Sequence, residues 1–370
     1  MKHRYEVLDC VRGVAALIVV LNHFYNVIPA LPEHNWLCDY TPVYYLIAGR
    51  MSVIVFFVLS GFVLALPYLS PQPPGYVNYI TRRFCRIYLP FAVAIALAYT
   101  LWHAVAATYP EFAPKGDDWS HPVSKGSLLA HFLMTGTAGG NDLNPPIWSL
   151  IIEMRISIIF PLLMLLVRYA RGYAVLLACC FGFAAAKVFS YLDGGHNFYM
   201  AESAAGAVFL TLYYVQFFVL GITLAVYKDQ LQALLRSLPR FAHVLAILLI
   251  LFVPRAWIDI HYTIAEAWRG VVAAYIILSC LTFATPQRWL SIAPARWLGK
   301  VSYSLYLIHL PVLLTILYGL HESLSLSVRL LIAFPLAFVA AAVMHAFVER
   351  PSIALGRMFK KKPAAVVQTI

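Results

Sequence analysis

The apolar positions of this chain do not fall into amphipathic stripes. They form long continuous blocks with short polar punctuation, at 11–29, 44–67, 87–108, 147–169, 173–192, 206–227, 240–254, 268–285, 301–319 and 328–347. Apolar blocks of about 20 residues are bilayer spans. The pattern therefore predicts an all-α, polytopic membrane helical bundle of about ten transmembrane helices. The block 240–254 is short, and the segment 109–146 has room for a re-entrant piece at 127–136; either would move the count by one. No repeat and no Gly/Ser- or Pro-rich linker divides the chain, so it reads as a single domain over 1–370 with a short basic tail from about 350. The first block follows Lys2, His3 and Arg4 as a signal peptide would. It lacks a small-residue cleavage site and carries Asn22 and His23, so it is expected to be retained.

Composition agrees: 62% of the 370 residues are hydrophobic and 12% charged, against about 45–50% and about 25% in soluble domains. The basic residues give an orientation. With the N-terminus in the cytoplasm, 19 Lys and Arg lie on the inner side, among them Arg12, Arg82, Arg83 and Arg86, against 5 in the outer loops. Both termini are therefore expected in the cytoplasm. The net charge of +11 is accounted for by this bias and by attraction to an anionic lipid bilayer, and gives no reason to expect nucleic acid. Of six cysteines only Cys38 falls in an outer loop, which excludes a disulfide framework. Neither clustered metal ligands nor a CxxC, HExxH, Walker or dinucleotide motif is present, so no metal site and no permanently bound cofactor are expected.

Ionisable side chains at membrane depth are costly and mark functional sites. In the first block Arg12 and His23 are eleven residues apart, which returns to within about 20° of the same helix face, roughly 16 Å along the axis. The fourth block runs inward and places Glu153 about 10 Å below the outer surface, near the depth expected of His23. A His with a carboxylate to orient it is what abstraction of a hydroxyl proton needs; a Glu153–Arg155 bridge is the alternative, opposed by the near-opposite faces of residues two apart. Ser302, Tyr306 and His309 share a face of the ninth block, where packing and catalysis are both open, and Ser60 in the second block fits close helix packing. Arg83 and Arg86, three residues apart where the third span begins, can address one anion and with Arg12 could hold phosphates. Positive-inside anchoring explains each of them equally well.

Taken in order, the motifs resemble the acyltransferase 3 family of membrane-bound, acyl-CoA-dependent acyltransferases. They are Leu8-Asp9 with Arg12-Gly13 and ten residues between Arg12 and His23, then Phe56 to Phe62 (FFVLSGF), Arg82 to Pro90 (RRFCRIYLP), Trp148-Ser149-Leu150 leading to Glu153, and Leu298 to Tyr306 (LGKVSYSLY) with His309. The resemblance implies transfer of an acyl group, usually acetyl, from cytoplasmic acyl-CoA to a hydroxyl of a carbohydrate or other extracytoplasmic or membrane acceptor. It implies catalytic roles for His23 and Glu153 and a donor-binding role for Arg12, Arg83 and Arg86, with Ser60, Trp148, Tyr306 and His309 as further candidates. An integral protein of a bacterial inner (plasma) membrane is expected. Met154 stands where relatives often carry a second Glu, which weighs against a two-carboxylate scheme. Many relatives also carry a soluble C-terminal domain. This sequence runs only to Ile370, so the chain is expected to finish the transfer itself or to relay the acyl group to a separate partner protein. A transporter of an acyl-bearing or anionic metabolite and a non-catalytic assembly factor are the rival classes.

Overall fold

The computed structural model describes residues 5–28, 36–106, 119–137, 142–194, 198–252 and 262–359. These residues are almost wholly helical, as the blocks predicted. The helices are α1 (Glu6–Asn26), α2 (Trp36–Tyr40), α3 (Gly49–Tyr68), α4 (Tyr76–Val105), α5 (Lys125–Phe132), α6 (Trp148–Ala170), α7 (Ala174–Asp193), α8 (Ala204–Val226), α9 (Lys228–Ser237) and α10 (Arg240–Phe252). They continue as α11 (Tyr262–Thr282), α12 (Ala284–Leu290), α13 (Ala293–Gly319), α14 (Leu326–Met344) and α15 (Arg350–Met358).

Among the described residues eight helical stretches are long and apolar enough to cross a membrane, and nine if α9 and α10, bent by 104° at their junction, form one broken span. One stretch, Pro145–Asp193, has 49 residues. Straight, it would be about 74 Å long, more than twice the hydrocarbon core of about 30 Å. It breaks at Arg171, whose φ is +49°, into α6 and α7, each of span length. Counting these two and the bent pair separately recovers the ten blocks of the sequence. The short seventh block is α10, 13 residues with no buried side chain; at about 20 Å it is too short to cross unaided. The segment 127–136 contributes α5, eight residues whose N-terminus is capped by Ser124 Oγ accepting from Ser127 N–H.

Two apolar clusters form the interior. One joins α3, α6, α7, α8 and α11 around Phe57, Phe62, Phe160, Tyr214 and Phe218. The other joins α1, α4, α13 and α14 around Val19, Phe91, Ile95, Leu305 and Leu313. Large apolar side chains such as Leu162, Tyr191, Leu331 and Phe347 are left on the outside, which suits a surface bathed in lipid.

Glycines fix where helices cross. A Cβ on Gly13 would overlap the backbone of Leu298 and Gly299, and one on Gly299 that of Asp9 and Cys10, so α1 and α13 touch backbone to backbone. Gly61 and Gly221 make the same contact between α3 and α8. Three of these four glycines sit inside the motifs quoted above. Connectivity then places the N-termini of α1, α4 and α13 and the C-terminus of α6 at one end of the bundle, here called the basic end. The N-termini of α3, α6 and α11 lie at the opposite end.

Candidate functional site

Within the bundle, on the basic side of its middle, α3, α4 and α6 build a buried ion cluster. Arg83 donates from Nη2 to Glu153 Oε1 at 2.6 Å and from Nε to Ser157 Oγ at 3.1 Å, and Ser60 Oγ donates to the same carboxylate oxygen at 2.8 Å. Arg12 lies at the start of α1, 18% exposed and 3.6 Å from Asp9. Arg86, one turn beyond Arg83, is exposed. Nearby, α14 ends in a π-helical turn, His345–Glu349. There Glu349 accepts from Ser304 Oγ at 2.6 Å and lies 3.0 Å from His345 Nδ1.

This arrangement corrects one expectation. Glu153 does not pair with His23: its hydrogen bonds come from Arg83 and Ser60. Glu153 lies one helical turn toward the basic end from Ser149, which meets Tyr306; His309 and its neighbour His23 lie about a turn the other way. The separation along the axis is therefore roughly 10 Å. Counting down from a surface fixed the depth too coarsely, and a buried carboxylate takes the charged guanidinium within reach. Arg83 gives Nε to Ser157 and Nη2 to Glu153, and its Nη1 makes no hydrogen bond within the protein and is not fully buried, so Arg83 stays beside Arg12 and Arg86 as an arginine that can meet an anion. Arg155 turns to the opposite face of α6, as residues two apart must, and donates to the carbonyls of Met134, Thr135 and Ala207 and to Thr211 Oγ1.

His23 sits between the two ends. Its Nδ1 is 3.3 Å from the Val19 carbonyl, which can only accept, so that bond places the proton on Nδ1 and the lone pair on Nε2. The ring stands edge-on to His309, with centroids 5.0 Å apart. His309 is sealed from solvent, held by its Nδ1 to Leu305 O at 3.0 Å, and its Nε2 has no hydrogen-bond partner. Tyr306 donates to Pro146 O at 2.8 Å and shares a 2.7 Å bond with Ser149, fixing the turn that leads into α6.

A cavity of about 720 Å³ opens onto His23 from the opposite end, lined also by Asn22, Arg50, Trp148, Tyr199 and Tyr306. Arg50 is a site residue that the sequence reading passed over. Its guanidinium lies 4.2 Å from the Tyr199 ring centre, 4.9 Å from Tyr262 and 5.2 Å from Trp148. Its Nε donates to Glu266 at 2.9 Å, and Arg269 Nη1 reaches the same carboxylate oxygen at 2.7 Å. The signal was available as a charged residue at a span edge, but Glu266 fell two residues outside the apolar block and so Arg50 had no visible partner. The rim includes Trp119 and Asp142, tied down by His131: its Nδ1–H donates to Ser127 O at 2.7 Å and its Nε2 accepts from Leu143 N–H at 3.1 Å. Burial holds the His131 pKa below the ordinary histidine value, against the opposite pull of the Ser127 carbonyl and Asp142.

The acyltransferase domain family, acyltransferase 3, matches this chain over residues 5–346. The chain is 27% identical over 343 residues to the acyltransferase MdmB of Streptomyces mycarofaciens, covering 86% of this chain and 84% of that protein. It is 28% identical over 171 residues to protein 2 in the picA locus of Rhizobium radiobacter, covering 42% of this chain and 81% of that protein. No solved structure matches it.

Proposed function

This chain belongs to the acyltransferase 3 family, and from that premise we propose that it is a membrane O-acyltransferase taking an acyl group, acetyl in the simplest case, from cytoplasmic acyl-CoA to a hydroxyl acceptor, a carbohydrate foremost. The observation that carries the reading is His23, which lies on the cavity surface with its Nδ1 proton directed to a backbone carbonyl. Its free Nε2 lone pair is the form of imidazole that can act as a base.

In this scheme the basic end faces the cytoplasm and the membrane is a bacterial plasma membrane. Arg12 and Arg86 meet the phosphates of the donor, and the thioester reaches inward along the Arg12–His23 stripe. The acceptor occupies the cavity. Its hydroxyl gives a proton to His23 Nε2 as the oxygen attacks the thioester carbonyl carbon. The C–O bond forms as the C–S bond breaks, and the imidazolium returns the proton to the departing thiolate. Glu153 acts through Arg83, holding α3, α4 and α6 in register beneath His23. Ser60 helps hold Glu153, Trp148 walls the cavity, and Tyr306 and His309 position the neighbouring turn and ring. In the relay variant His23 Nε2 itself attacks the thioester and carries the acyl group.

The test is release of free thiol from acetyl-CoA by the purified protein with a panel of hydroxyl acceptors. His23→Ala should lower turnover by about 10²–10⁴-fold, the usual weight of general base catalysis, with the melting temperature unchanged. An acyl adduct on His23 formed with donor alone would select the relay. Near wild-type turnover in His23→Ala would remove His23 from the chemistry.

A further inference from the structure

We infer that the acceptor carries a second hydroxyl beside the one that is acylated, and that Asn22 reads it by accepting its proton, with Asn26 as the adjoining contact. The substrate is then a vicinal diol, as in a sugar ring or a polyol, and not a lone alcohol. The inference rests on the reading of the 720 Å³ cavity as the acceptor site, and goes beyond it by naming the residues that select the acceptor and the group they select.

The argument starts from the last turn of α1, which ends at Asn26. Asn22, His23 and Asn26 all line the cavity. At about 100° per residue, Asn26 falls between the other two on an arc of roughly 100°. Residues three and four apart on a helix are neighbours, with Cβ atoms about 5–6 Å apart, so Asn26 adjoins both His23 and Asn22. One small ring can therefore meet all three side chains. Carboxamides at membrane depth are costly and mark function, and catalysis by His23 uses neither of these.

The Asn22 amide has a fixed direction. Its Nδ2 donates to Ile47 O at 2.8 Å, and because a carbonyl only accepts, the amide cannot be reversed and Oδ1 is the group left over. The carboxamide lies on Gly49, where a Cβ would come within 2.7 Å of Oδ1, and Ile47, Ala48 and Gly49 are themselves cavity wall. Oδ1 accepts no hydrogen bond within the protein. Unlike Asn144 Oδ1, which is buried without a partner, it keeps surface that a ligand can reach. Asn26 likewise makes no side-chain hydrogen bond and has neither polar atom buried. An acceptor wetted in the open cavity must be given a donor when a ligand displaces the solvent. The end of α1 thus presents two proton acceptors, His23 Nε2 and Asn22 Oδ1, and two acceptors call for two hydroxyl donors. Tyr199, 44% exposed and also on the wall, gives apolar surface for the face of a ring, and a cavity of this volume is within the range that holds a small ligand.

The experiment is equilibrium binding to the full chain in detergent micelles, without acyl donor and corrected for empty micelles, of vicinal trans-cyclohexanediol, its monomethyl ether and cyclohexanol. The diol should bind about tenfold more tightly than the ether, the difference between meeting Oδ1 with a donor and covering it unmet. Cyclohexanol also leaves Oδ1 without a donor and should group with the ether. Asn22→Leu keeps the outline of the side chain and lacks Oδ1. Gly49→Ala keeps Asn22 but puts a methyl where its carboxamide lies. Each should lose most of the preference for the diol, with the melting temperature reporting that the chain is folded. Equal binding of diol and ether, no binding of any of the three, or a preference intact in folded Asn22→Leu or Gly49→Ala overturns the inference. Thiol release from acetyl-CoA with the panel of hydroxyl acceptors, run on the same preparation, reports on the acyltransferase reading separately.

Discussion

The two halves of this bundle each bury an arginine against a glutamate, and they treat it differently. In the basic half, Arg83 spends Nε and Nη2 on Ser157 and Glu153, the Ser60 hydroxyl donates to the same carboxylate oxygen, and no Arg83 nitrogen is buried without a partner. In the opposite half, Arg50 is held by Glu266, Tyr214 and aromatic rings, and Arg50 Nη1 and Glu266 Oε2 are both buried without a hydrogen-bond partner. The first cluster joins three helices and keeps some access, its Arg83 and Glu153 side chains being 10% and 15% exposed. The second is the more deeply buried, with Arg50 8% and Glu266 0% exposed, and its carboxylate lies behind the cavity wall. Neither a buried charge nor an incomplete set of partners marks a binding site alone; the unmet atom must also be reachable by a ligand.

Removing one carboxylate breaks the comparison most forcefully. Glu153→Leu should cost about 3–5 kcal/mol by stranding Arg83, read as a large drop in the melting temperature of the detergent-solubilised protein. The double variant Arg83→Met with Glu153→Leu should recover most of that loss, since replacing both ends of a buried pair with apolar groups is often neutral. Recovery of folding without transfer would instead put Glu153 or Arg83 at the reacting atoms and undo the assignment of a purely positioning cluster.

A smaller effect tests how the Arg83–Glu153 cluster is framed. Gly61 adjoins Ser60, and a Cβ there would strike the Phe218 backbone on α8. Gly61→Ala should therefore cost about 1–3 kcal/mol as the helices are forced apart and should loosen the Ser60 contact to Glu153. Gly75, with nothing within 4 Å of the position a Cβ would take, is the control, and Gly75→Ala should leave the melting temperature near that of the wild type. Equal losses in the two variants would mean that the α3–α8 crossing is not where the packing is tight.

Much of this architecture was legible in the sequence, because bilayer spans declare themselves by length and apolarity and need no knowledge of partners. The all-helical class and the separate faces of Glu153 and Arg155 followed from periodicity alone. Pairing between helices did not. Glu153 and His23 share a stretch of membrane by residue count, but one helical turn of error exchanges one neighbour for another, and the sequence carries no record of the tilt set by the glycine crossings. Arg50 was visible as an isolated charge; its glutamate lay 216 positions away, beyond any local pattern. The glycines read as motif letters and turn out to be places where two backbones meet.

The smallest effect sharpens the contrast from the cavity side. His131 anchors the loop before α6 by donating from Nδ1 to Ser127 O and accepting Leu143 N–H at Nε2. Protonation of Nε2 would turn that acceptor into a donor facing the Leu143 N–H. Burial already holds the folded pKa below the ordinary histidine value of about 6.5. Between the folded and the unfolded pKa the unfolded chain therefore binds a proton that the folded chain refuses. The stabilisation is complete above about pH 6.5 and is lost progressively as the pH falls. Acidification from about pH 7.5 to 5.5 should raise amide hydrogen exchange across 127–143 before it loosens the Arg83–Glu153 cluster, whose carboxylate remains paired with a cation. His131→Leu gives up both hydrogen bonds and should start from faster exchange, with its dependence on pH flattened once intrinsic exchange is corrected for. If the variant keeps the wild-type acid response, the sensitivity arises elsewhere and the loop is not the weaker end of the molecule.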